Sequence, residues 1–316
     1  MFNLIFKTTI FLSFFYINSF FIKESYANFV VISYDSFGEK DFDLNAIEKH
    51  IKILTKEKYF IIPISNIINL LDNSKNLPDY SVGITISSNN KQVIKDIWPI
   101  FSKASLNFTL FIDPLVINTF NNNMSWSDII TLKNNGVDIG IRSSSKNISN
   151  DINIYIKNLN IRPMYYIYRQ GIWSEKELKI LNKHNIEIAF TENSGPISAT
   201  MDKYKLPRFN ISGKFTDTQR LETVLGTLPL EITNILPSGN TINHNPPLYG
   251  FTLINEKQIP QCYTNNKDKA EVLLVSNNRI EVRTTKFLGQ KARINCVSKD
   301  INNRLLWYGS LYWVSK

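Results

Sequence analysis

The stretch VGITISSNNKQVIKDIW, residues 82–98, runs from an apolar strand through four small polar residues straight into a helix. Strand, polar corner and helix form the repeating unit of an α/β protein, and the carboxyl end of such a strand is where these proteins keep their chemistry. The same unit recurs on both sides. Upstream, FVVISY (29–34) is a strand, and Leu44, Ile47, Ile51 and Leu54 follow at the helical period before YFIIPI (59–64) returns to β. A short helix over 65–72 leads to the quoted strand, whose own helix covers 91–104. Downstream, NFTLFI (107–112), VDIGI (137–141), IRPMYYIY (161–168), IEIAF (186–190) and KLPRFNI (205–211) read as further strands. Helices separate them at 125–135, ended by Gly136, at 149–160 and at 174–184. Continuous apolar strands alternating with helices imply a parallel sheet covered by those helices. Seven or so such units suit a closed or nearly closed barrel better than an open sheet.

The two ends of the chain have a different texture. Lys7 is the only charge ahead of the apolar run TTIFLSFFYINSFFI, and KESYA, with Ser25 and Ala27 at small-residue positions, completes the pattern of a cleaved secretory signal over residues 1–27. Left uncleaved, the same segment would tether the protein to a membrane. Beyond ILPSGNTINHNPPLYG (235–250), short alternating runs bounded by polar turns read as a small antiparallel β module. The expected organisation is thus a signal at 1–27, a barrel at 28–236, and a linker with β module at 237–316. Cys262 and Cys296 both fall in that module and, in an exported protein, read as a disulfide. Neither has a second ligand at metal-binding spacing.

The formal net charge is +9, or +8 without Lys7, Lys23 and Glu24, which favours anionic partners such as acidic glycans. The basic residues are spread along the chain rather than gathered in a stripe, so nucleic acid is not the expected partner. Nothing in the sequence sets an oligomeric state.

At the carboxyl ends of the strands stand Asp35, Ser87 and Ser88 with Asn89, Asp113, Arg142 to Lys146, and Tyr166 to Arg169. The ordered set ISYDSFGE, GITISSNN, NFTLFI, DIGIRSSSK and YYIYRQGIWSEKELKILNKHNIEIAFTENSG resembles the polysaccharide deacetylase family, carbohydrate esterases with a distorted (β/α)7-type barrel. The resemblance runs over residues 29 to about 200, and AFTENSG is its most specific part. It implies a divalent metal such as zinc, held by one aspartate and two histidines, with a second aspartate as general base. Bound metal would lower the pKa of a water to about 7 and polarise an acetamide carbonyl.

The chain departs from that pattern at each functional position. Ser87 and Ser88 stand where the aspartates would be, and Arg142 and Lys146 where the histidines would be. Hydroxyls are weak metal ligands beside carboxylates, and two cations repel Zn²⁺. The histidines do not replace them: His50 and His184 fall on helices as surface or boundary residues, and His244 lies in the linker. Ser87 or Ser88 with Lys146 could make a serine–lysine nucleophile pair, but no oxyanion hole can be argued beside it. The expectation is therefore an exported, periplasmic or secreted protein of the deacetylase kind, catalytically inactive and without a metal cofactor, binding cell-envelope carbohydrate. Arg142, Lys146 and Arg169 would attract an acid group on the sugar. Asp35, Asn89, Tyr166, Tyr168 and Trp173 complete the expected pocket, its aromatic rings stacking on the sugar. The alternative is an N-deacetylase with relocated catalytic groups.

Overall fold

A computed structural model describes residues 29–35, 42–73, 77–254, 258–265 and 268–315. The secretory signal read at 1–27 lies outside the described residues, as does SFGE (36–39) after the first strand. No helix among the described residues is long and apolar enough to cross a membrane.

The first part of the chain alternates β1 (Phe29–Asp35), α1 (Leu44–Leu54), β2 (Phe60–Ile61), α2 (Ser65–Asn73), β3 (Ser81–Ser87), α3 (Trp98–Lys103), β4 (Thr109–Ile112), α4 (Trp126–Asn134), β5 (Asp138–Arg142), α5 (Ile148–Leu159), β6 (Tyr165–Ile167), α6 (Glu175–Lys183), β7 (Ile188–Phe190), β8 (Phe209–Asn210) and α7 (Thr218–Leu225). Its strands form one sheet in the order β7-β6-β5-β4-β3-β1-β8, with β2 also on β3. The pairings are parallel. Residues 206–211 bring the two edges together: Leu206 exchanges backbone hydrogen bonds with Ala189 and Thr191 beside β7, and Ile211 N donates to Ser33 O on β1. The result is a curled α/β barrel of short strands, nearly closed as the repeat count implies.

Local chemistry sets the helix ends. Asp43, Ser125, Asn147, Ser174 and Asp217 each accept a hydrogen bond from a backbone N–H in the first turn of the helix that follows. Gly136, at φ +85°, turns the chain after α4. The helix expected over 91–104 is instead a π-helical turn, Val93–Ile97, running into α3, because Pro99 has no N–H to donate to the preceding turn. Proline also explains why IRPMYYIY and KLPRFNI pair over only three and two residues, for Pro163 and Pro207 have no N–H to donate to a ladder.

The remaining strands are β9 (Leu228–Pro229), β10 (Ile232–Leu236), β11 (Thr241–Ile242), β12 (Tyr249–Leu253), β13 (Gln261–Thr264), β14 (Glu271–Ser276), β15 (Arg279–Arg283), β16 (Lys291–Lys299) and β17 (Leu305–Val314). They make two mainly antiparallel sheets, β10-β12-β15-β14 and β11-β17-β16-β13, with β9 added beside β17. Between them lies a separate core that includes Phe251, Ile280, Ile294 and Tyr312. Cys262 and Cys296 face each other across β13 and β16 and are disulfide-bonded inside this core. The change of sheet falls between α7 and β9, ahead of the Pro- and Gly-rich segment near 236. Residues 228–236 continue the β texture of the barrel, and only their distant pairing partners assign them to the second body.

The two bodies are tied by specific contacts. Ser194 N donates to Gly309 O at 3.1 Å, Leu311 N donates to Asn193 Oδ1 at 2.9 Å, and Lys291 pairs with Glu192 at 2.9 Å. Gly309 is required by this approach, since a Cβ there would lie 2.9 Å from Ser194 O and closer still to the side-chain oxygens of Ser194 and Asn295.

Candidate functional site

Side chains alternate across each strand. On β1 and β3, Ile32, Tyr34, Ile84 and Ile86 belong to the layer between sheet and helices, so Ser33, Asp35, Thr85 and Ser87 face the barrel interior. Ser33 is in register with Thr85, and Asp35 with Ser87. On β5, Ile139 and Ile141 join the helix layer, which turns Gly140 and Arg142 inward. Gly140 sits opposite Phe111 in the β4–β5 ladder, and a Cβ there would lie 2.5 Å from that ring. Phe111 thus fills the barrel centre with Phe190, edge to face at 6.0 Å.

On this aromatic floor rests a residue that the sequence reading missed, Arg208. Its guanidinium lies 5.8 Å from the Phe111 ring and 5.7 Å from that of Phe190. Nη1 reaches Thr85 Oγ1 at 3.3 Å, Ser87 Oγ at 3.4 Å and Asp35 Oδ1 at 3.7 Å, all long contacts. The side chain is 6% exposed, and its buried Nε has no hydrogen-bond partner. One signal in the sequence could have found it: an arginine set between the apolar pair Leu206-Pro207 and Phe209 of KLPRFNI, inside a segment read as a strand.

Around this cation stands a second group. Arg142 lies close enough to Asp113, Arg169 and Asp35 to feel their charges; burial lowers its pKa, while the two aspartates oppose that shift. Asp113 is buried, and burial raises its pKa, opposed by hydrogen bonds from Ser144 and the Leu115 N–H and by the charge of Arg142. Arg169 Nη1 donates to Ser144 O at 2.9 Å, tying the β6 corner to the β5 loop. Behind that loop, the hydroxyls of Ser143 and Ser145 both donate to Asp151 Oδ2, at 2.5 and 2.8 Å. Three guanidinium groups thus meet two carboxyl groups at the strand ends.

The other expected pocket residues divide. Ser88 is buried, and its Oγ accepts from Asn90 N at 3.0 Å as a turn device. Asn89 is buried too, its Oδ1 accepting from Asp113 N at 2.9 Å. Lys146 is exposed on the loop before α5. Tyr166 and Tyr168 are buried against each other, edge to face at 5.3 Å, in the helix layer, so neither ring faces the barrel. Trp173 lies further round the rim, with Lys205 Nζ 4.0 Å from its ring. His50 is not at the surface: it is fully buried between Tyr34 Oη (3.1 Å) and Thr216 O (2.9 Å), because α1 turns it onto the sheet. His184 ends α6 and His244 is exposed in the second body.

This barrel has the fold of the polysaccharide deacetylases. It superposes on the Streptococcus pyogenes deacetylase PplD, solved in complex with acetate, with a TM-score of 0.57 and 14% identity over 64% of this chain and 99% of that one. IcaB from Ammonifex degensii matches with a TM-score of 0.53 at 13% identity, covering 62% and 96%. The putative polysaccharide deacetylase BA0330 of Bacillus anthracis matches with 0.51 at 15% identity, covering 62% and 69%. No protein-family model and no curated protein matches the sequence.

The divalent metal that this fold implies does not fit the residues present. Arg208 occupies the space against Ser87, and Arg142 shares the rest with Asp35 and Asp113. Among the described residues, no three His, Cys, Asp or Glu side chains gather to hold an ion. A dication here would be repelled by the guanidinium groups that stand beside both carboxyl groups.

Proposed function

We propose that the protein is an exported, non-catalytic carbohydrate-binding protein on a deacetylase-type barrel, whose strand-end pocket takes an acid group of a cell-envelope glycan. The observation that carries this reading is Arg208, a buried guanidinium with an unpartnered N–H at the heart of the site. A planar cation with donors to spare matches a carboxylate or sulfate, and Arg142 and Arg169 add to the attraction. Export rests on the secretory pattern at 1–27 and on the buried disulfide, a bond that persists in oxidising compartments.

The test is metal content together with acetate release from chitin-type and peptidoglycan-type oligosaccharides, with the mature chain offered Zn²⁺, Co²⁺ or Mn²⁺, followed by glycan arrays. No acetate, no stoichiometric metal and retention of acidic glycans are the expected results. Metal-dependent acetate release would overturn the proposal. It would favour the alternative of an N-deacetylase with relocated groups, for which Asp113, its proton affinity raised by burial, is the available acid or base.

A further inference from the structure

A cavity of about 380 Å³ lies where the barrel meets the second body. That volume is in the range of small-molecule sites. The β6 corner, the segment after β7, β10 and β17 all contribute walls, so the cavity exists only while the two bodies are docked. Asn240 Nδ2 donates to Trp173 O at 3.2 Å and Trp313 Nε1 to Gln170 O at 3.1 Å, holding the rim together.

Its chemistry is opposite to that of the strand-end cluster. Three charged side chains line it, Asp202, Glu231 and Lys205. Lys205 pairs with Asp202 at 3.1 Å and covers the Trp173 ring. Among the described residues no cation pairs with Glu231: its partners are the hydroxyls of Ser198 and Thr200, the latter at 3.4 Å. Burial raises the Glu231 pKa, the behaviour of a carboxylate that lacks a counter-charge. An acidic cavity rich in hydroxyls and amides, in a protein of net charge +9, selects a small polar ligand carrying one cation.

We infer that this junction cavity is a second carbohydrate site, taking an amino sugar whose ammonium group pairs with Glu231. The inference holds whether or not the strand-end pocket takes an acid group. It predicts that the intact mature chain binds a fully de-N-acetylated chitosan tetrasaccharide about tenfold or more tighter than the N-acetylated tetrasaccharide, the scale of one charged hydrogen bond. The protein's overall positive charge opposes non-specific capture of this cation. Glu231→Gln should abolish the preference, whereas Glu271→Gln, at an exposed carboxylate outside the cavity, should leave it in place, both read by calorimetric titration on variants with wild-type melting behaviour. Equal affinity for the two tetrasaccharides, or binding of neither, overturns the inference on the wild-type chain alone; so does a preference that survives Glu231→Gln.

Discussion

Replacing Arg208 by methionine separates a binding role from a structural one. A buried cation is desolvated whether or not it is paired, and an unsatisfied buried donor costs about 1–3 kcal/mol. Against this, Arg208 has only three contacts of 3.3–3.7 Å and the faces of two phenylalanines. Methionine keeps much of the volume and suits that floor, and apolar replacement of buried ions is commonly neutral or stabilising. The partner left behind, Asp35, loses the guanidinium facing its buried Oδ1, but the side chain is 28% exposed and its Oδ2 retains the Ser33 hydroxyl at 3.1 Å, so the carboxylate stays partly hydrated. The full penalty of about 3–5 kcal/mol for stranding a buried charge therefore does not apply. The expected stability change is within about 1 kcal/mol, a shift in Tm of no more than about 4 °C. Binding should respond the other way. An anion at tenfold over its Kd stabilises the wild type by about 1.4 kcal/mol, and Arg208→Met should lose that increment. Calorimetric melting in sulfate and in chloride at matched ionic strength reads both quantities, the variant's own sulfate response serving as the baseline for general salting-out. A loss of more than about 3 kcal/mol, or an unchanged sulfate increment, would refute the reasoning by making Arg208 a structural residue.

Other outcomes follow from the same contacts. The combined substitution Ser87→Asp, Ser88→Asp, Arg142→His and Lys146→His, made together with Arg208→Met to remove the guanidinium beside Ser87, should create Zn²⁺ affinity, measured by calorimetry; an intact fold without zinc binding would show that the motif positions are misaligned. Gly309→Ala forces a methyl onto Ser194 and Asn295 at the junction and should lower stability by about 1–3 kcal/mol in thermal unfolding. Replacing Cys262 and Cys296 together by alanine reopens a loop spanning 34 positions and should remove about 4 kcal/mol in the chain-entropy account, read from urea unfolding with and without reductant. His50 is held neutral, burial lowering its pKa below the ordinary 6.5. The unfolded chain therefore takes up this proton first, so stability is full above pH 6.5 and declines as pH falls below it towards the folded-state pKa. His50→Gln should flatten that part of the pH–stability curve.

The sequence by itself determined the α/β barrel, the β module and the disulfide, because these rest on local signals. Apolar runs such as VVISY and VGITI define strands, Leu44, Ile47, Ile51 and Leu54 define a helix face, and two cysteines in a short β segment have few other fates. It also showed what the strand ends lack, since a serine or an arginine at a motif position is legible without coordinates. Tertiary structure alone decided which of those residues share a pocket. Tyr166 and Tyr168 flank Ile167, which β6 supplies to the interior, yet one residue of register turns their rings into the helix layer. Arg208 joins Asp35 and Ser87 from more than a hundred residues away, through a segment with too little ladder pairing to stand out as a strand. Glu231 meets Trp173 across the cavity only because β10 pairs with β12 in the second body instead of extending the barrel sheet. Short-range patterns specify elements, whereas a site is a set of long-range juxtapositions whose geometry only the packed chain defines.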